Sequence, residues 1–101
     1  DIGTMQCTDG PEMGSRRAGC AALRLDARRS LVLGGQDENH NVLATTEILD
    51  VETMAFLEEN GPRLQTPRTF LAAVAIDPER ALVLGGFDGR NQFATTEILG
   101  I

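Results

Sequence analysis

Glu47 and Glu97 lie in the same hexapeptide, Ala-Thr-Thr-Glu-Ile-Leu, 50 residues apart. A pair of carboxylates can divide general acid and base work in glycosidic chemistry. These two recur with a repeated frame, however, as do Arg17 and Arg68 at a spacing of 51. Identical groups at identical repeat positions point to a structural ion pair or hydrogen bond in each copy, since catalysis needs unlike titratable groups that converge. Gly85-Gly86-Phe87-Asp88-Gly89 is rich enough in glycine to suggest a phosphate cradle. Such a cradle needs a following helix and usually a lysine, and neither is expected here. Asp37, Asn39 and Asn41 have the spacing of the first ligands of a calcium loop, but Val42 and Ile48 stand where glycine and a bidentate glutamate belong. His40 is the only histidine, so no histidine metal cluster or serine–histidine pair can be assembled except around it. The residues therefore imply a non-catalytic chain that needs no metal or cofactor.

The elements that position these residues are written twice. Ser30-Leu31-Val32-Leu33-Gly34-Gly35 returns as Ala81-Leu82-Val83-Leu84-Gly85-Gly86, 51 residues on. Self-similarity near this spacing indicates a repeat architecture and suits a four-stranded propeller blade. Arg17 to Leu25 and Arg68 to Ile76 are matching stretches rich in small residues, read as strands packed close to the axis of a ring. Asp26–Arg29 and Asp77–Arg80 are polar turns, with Asp-Pro in the second. Ser30–Leu33 and Ala81–Leu84 are short apolar runs, expected as strands buried on both faces. Each stops at a diglycine, where glycine permits a bulge or close backbone approach.

After a polar loop come strands expected over Ala44–Leu49 and Ala94–Leu99, with Thr45, Glu47 and Leu49 on one face and Thr46 and Ile48 on the other. Met54 to Leu57 supplies a fourth, outer strand carrying Phe56, and residues 58–67 cross to the next unit. Asp1 to Met5 resembles Asp50 to Met54, so residues 1–16 read as the tail of a preceding repeat. Residues 17–67 then form one repeat, and 68–101 a second that lacks its fourth strand. The expectation is an all-β chain.

The diglycines Gly34-Gly35 and Gly85-Gly86, the arginines Arg17 and Arg68, and the run Glu47-Ile48-Leu49-Asp50-Val51-Glu52-Thr53 resemble the kelch repeat over essentially the whole chain. Leu49 and Leu99 stand where that family commonly has tyrosine, and Phe56 where it has tryptophan. The resemblance implies a β-propeller and a role as a protein-interaction platform. Recognition would then fall on the loops after the diglycines, where the copies differ. Candidate contacts are Asp37 and His40 in the first loop, and Phe87 and Arg90 in the second, because aromatic and guanidinium groups carry disproportionate binding energy. Other expectations are a structural subunit of a large assembly and, behind it, a propeller enzyme or carbohydrate-binding domain.

Composition narrows the partners. Among 101 residues the net charge is −6 and all nine basic residues are arginine. An acidic chain with no basic run is a poor match for nucleic acid or anionic membrane. No apolar run approaches the roughly 20 residues of a membrane span, and nothing at the start resembles a signal peptide. Cys7 and Cys20 are not repeat-equivalent and read as reduced thiols, which fits a reducing intracellular compartment. The start at Asp1 suggests a processed or partial chain. Two blades would leave apolar faces uncovered, so the chain is expected to complete a ring by exchanging strands with other copies, to belong to a longer propeller, or to dock in an assembly.

Overall fold

The computed structural model describes residues 10–57 and 61–101. Seven strands run in chain order: β1 Ala21–Arg24, β2 Arg29–Leu33, β3 Thr46–Asp50, β4 Ala55–Phe56, β5 Ala72–Asp77, β6 Arg80–Leu84 and β7 Thr96–Gly100. They form two antiparallel meanders, β1-β2-β3-β4 and β5-β6-β7, with no helix among the described residues. No helix is long and apolar enough to cross a membrane among those residues. Residues 1–9 of the tail expected at 1–16, Cys7 included, and residues 58–60 of the crossing lie outside the described residues. Cys20 is a free, half-buried thiol.

Aspartates fix the turns. Asp26 Oδ1 accepts the N–H groups of Arg28 and Arg29 at 2.8 and 2.7 Å, and its other oxygen meets Arg29 Nε at 2.9 Å. Asp77 repeats the arrangement, accepting from Glu79 N at 2.8 Å and pairing with Arg80. Asp50 accepts from the backbone of Glu52 and Thr53 and so turns β3 into β4. These short side chains mimic a backbone acceptor, the reason aspartate favours turns. The bonds hold the carboxyls of Asp26 and Asp77 below the ordinary range, chiefly through the backbone N–H of Arg28 and of Glu79. For Asp50 the Arg28 guanidinium is the main cause.

The two sheets pack with opposite faces of equivalent strands in contact. In β2 the buried residues are Leu31 and Leu33; in β6 they are Ala81 and Val83, which are repeat-equivalent to Ser30 and Val32. Leu31 lies between Leu23 and Ile48 in the first sheet. With Leu25, Leu64, Leu71 and Leu99 these residues make one continuous core. The expectation of strands buried on both faces is corrected: Val32, Leu82 and Leu84 are only half-buried, because each sheet has a neighbouring sheet on one side alone among the described residues.

β3 and β7 begin two residues later than expected. The Ala44 carbonyl accepts Leu64 N at 2.8 Å, and the Thr45 carbonyl accepts Gly34 N at 3.1 Å, so neither residue extends the ladder. β4 is reduced to two residues, with Phe56 opposite Leu49.

Candidate functional site

Arg17 and Arg68 each enter the end of their own sheet and make the same set of bonds. Arg68 Nε donates to Glu97 Oε2 at 3.0 Å, Nη1 to the carbonyls of Gly85 and Thr95 at 2.8 and 2.9 Å, and Nη2 to Thr95 Oγ1 at 3.0 Å. Arg17 reaches Glu47, Gly34, Thr45 and Thr45 Oγ1, each at 2.9 Å. Thr45 and Glu47 therefore do share a face. The carboxylates also anchor the incoming chain: Glu47 accepts Gly14 N at 2.6 Å, and Glu97 accepts Gln65 N at 2.7 Å. Both arginine side chains are almost fully buried, at 1% and 2% exposure. A planar guanidinium held by carboxylate, carbonyl and hydroxyl acceptors through four of its five N–H groups is a structural rivet. The two glutamates are each committed to their own arginine and backbone amides, which leaves no shared carboxylate pair.

All four diglycine positions have positive φ, from +62° at Gly85 to +102° at Gly86. At Gly86 a Cβ would stand 2.8 Å from the Thr69 carbonyl, and at Gly35 the same distance from the Ala18 carbonyl. Close backbone approach therefore accounts for these two glycines. Gly34 differs from Gly85: a Cβ on Gly34 would meet the Arg68 carbonyl of the second sheet at 2.5 Å, while one on Gly85 meets only Phe93 O at 3.3 Å.

The loops that follow are tied at their base and open at their tip. Gln36 bridges to Ala18 and Val42, and Phe87 to Thr69 and Gln92. Asp37 accepts the N–H groups of Asn39 and Asn41 and the Asn41 amide, so the expected calcium-like spacing is spent on closing a turn. Asp88 does the same with Arg90 N and Asn91 N. Backbone N–H donors hold both carboxyls below the ordinary range. Glu38, Asn39 and His40, with His40 at φ +65°, occupy one exposed tip; Gly89 and Arg90 occupy the other. Of the candidate contacts, His40 and Arg90 thus face solvent, while Asp37 has a local structural job.

Phe87 is half-buried, not exposed. It lines a cleft of about 450 Å³ with Phe70, Gly86, Gln92 and Phe93. Three of the chain's four phenylalanines meet there. In the first copy the equivalent positions hold Gly19, Gln36 and Leu43. Arg68 underlies the cleft, its Cζ 4.9 Å from the centroid of Phe93, a cation–π contact.

Sequence reasoning missed Phe70, which was read as part of a small-residue strand. Its φ is +55° and it is 68% exposed. Its counterpart Gly19 has φ +68°. The first copy thus satisfies the left-handed backbone with glycine, whereas the second puts a bulky aromatic there, against preference. The signal was available: the offset of 51 aligns Phe70 with a glycine.

No group of three or more histidine, cysteine, aspartate or glutamate side chains converges to hold a metal among the described residues. Neither the protein-family models nor the curated proteins include a match to this chain.

Proposed function

We propose that the chain is a non-catalytic protein-interaction module whose two sheets are blades of a kelch-like β-propeller. The observation that carries the interaction role is the convergence of Phe70, Phe87 and Phe93 at positions where the other copy has Gly19, Gln36 and Leu43. Residues needed only for the frame recur; these three differ together and border one cleft. One strained, exposed ring, Phe70, beside the half-buried rings of Phe87 and Phe93 has the composition of an interaction anchor. Arg90, on the exposed tip of the loop that carries Phe87 and Phe93, would add a polar contact at its rim. The propeller reading is supported by the repeat near fifty residues, by the four-stranded antiparallel meander and by the arginine-to-glutamate pair rebuilt in each sheet.

The test uses the immobilised chain and its Phe70→Ser variant, compared by affinity capture and mass spectrometry. A partner retained by the parent and lost by the variant, with both showing the same thermal midpoint, is the expected result. Equal capture by both proteins would refute the assignment of the cleft.

A further inference from the structure

We propose that the outward face of the second sheet docks a second copy of this chain, which presents the outward face of its first sheet and the segment Met13–Gly19. This deepens the interaction reading by naming the partner of the aromatic cleft, and it rests on that reading.

The two outward faces are the separated halves of an interface already formed inside the chain. Within it, Leu23, Leu31 and Ile48 of the first sheet are covered by the second, and Leu31 is fully buried. The equivalent row in the second sheet is Val74, Leu82 and Ile98. Val74 is 54% exposed and Ile98 66% exposed. An apolar row of this kind is one half of a core with its other half removed. The missing half has the chemistry of Ala73, Ala81, Val83 and Leu99, and the first sheet carries Ala22, Ser30, Val32 and Leu49 at those positions, apolar at three of the four. Arg24, which replaces Ala75 on that face, folds back onto the carbonyls of Asp26 and Ala27 at 3.0 and 3.3 Å.

The backbone groups match as well. Across the internal interface Leu64 N donates to Ala44 O, Arg68 N to Leu43 O, Gly35 N to Arg68 O and Phe70 N to Gly19 O. On the open face the corresponding groups are Ala94 O, Phe93 O, Gly86 N and Phe70 O. Among the described residues none of them makes a backbone hydrogen bond outside the strands. The corresponding groups of the incoming segment, Met13 N, Arg17 N, Arg17 O and Gly19 N, are likewise without a backbone partner there. Glu47 holds this segment by Gly14 N just as Glu97 holds the other by Gln65 N, so the segment is already set in the docking pose. Met13 would take the place over Ala94 that Leu64 takes over Ala44. Gly19, lacking a side chain, would come to rest against the ring of Phe70. Such a contact is heterologous, joining head to tail, and propagates to a ring or a longer array.

Sedimentation velocity on the full chain across a concentration series is expected to show species heavier than the 10.9 kDa monomer that grow with concentration. Ile98→Arg blocks one face and Ala22→Arg the other; each variant alone is expected to stay monomeric, and an equimolar mixture to form dimers only, through the one pair of faces left intact. Thr96→Arg replaces Ile98→Arg if circular dichroism shows the latter unfolded. A parent chain that remains monomeric at every concentration, or a mixture of folded variants that yields no dimer, overturns the proposal. If that monomer still captures another protein through Phe70, only the identity of the partner falls; if it captures none, the interaction reading falls with it.

Discussion

Arg68→Ala removes a guanidinium that is 2% exposed and leaves the Glu97 carboxylate, 8% exposed, facing two backbone N–H groups without its cation. Breaking a buried pair by deleting one partner costs about 3–5 kcal/mol, because the remaining charge is uncompensated. The Gly85 and Thr95 carbonyls lose a donor in the same step. A domain of this size is stable by about 5–15 kcal/mol in total, so the loss is a large fraction of it. At about 4–8 °C per kcal/mol, the thermal midpoint should fall by roughly 12 °C or more. The chain has no tryptophan or tyrosine, so far-UV circular dichroism in a urea series is the suitable probe. Arg17→Ala removes an equivalent set of bonds and should cost a similar amount. If Arg68→Ala is too unstable to study, Arg68→Lys keeps the charge but not the fork and should show an intermediate loss. A loss below about 1 kcal/mol, the size expected of a surface pair, would refute the claim that the arginine rivets the sheet.

Three further outcomes are expected. Gly34→Ala should destabilise far more than Gly85→Ala in urea titration, since both have positive φ but only the Gly34 Cβ strikes the backbone of the neighbouring sheet. Phe70→Gly should change stability by less than about 1 kcal/mol, against about 3–5 for truncating a buried phenylalanine, because relief of the left-handed strain offsets the lost contacts of an exposed ring. In acid, the turn aspartates Asp26, Asp37, Asp50, Asp77 and Asp88, all with lowered folded pKa values, contribute stability that is fully present above the unfolded value and lost as pH falls through the folded values. Urea midpoints should therefore decline below about pH 4, and an Asp88→Asn variant should decline less steeply there.

Much of the frame could be read from residues alone because the sequence states it twice. Alanine-rich stretches such as Ala72 to Ala75 are poor strand formers by propensity. Their alignment with Ala21 to Arg24 nevertheless marked both as strands. The recurrence of Arg17 with Glu47 and of Arg68 with Glu97 likewise points to a structural ion pair or hydrogen bond in each copy, and the structure has an ion pair in both. Tertiary contacts hid the rest. Ala44 looks like the start of a strand, but its carbonyl is taken by Leu64 from the other side of a long connection. Asp37 looked like a free loop contact because nothing in its spacing announces the turn that it closes on Asn39 and Asn41. Phe87 looked exposed because its place in a polar loop does not show that Phe70, 17 residues earlier, borders the same cleft.

The arginine rivet also bears on the order in which the sheets assemble. Asp77 and Arg80, which close the β5–β6 hairpin, are three residues apart, whereas Arg68 and Glu97 are separated by 29. Loop-closure entropy makes the longer closure about 2 kcal/mol more costly. The hairpins are therefore the early events, and the rivet closes only once the third strand is in register. A contact formed after the rate-limiting step leaves the folding rate nearly untouched and slows unfolding instead. In stopped-flow urea jumps Arg17→Ala and Arg68→Ala are therefore expected to unfold faster at a nearly unchanged folding rate, and Asp77→Ala to fold more slowly.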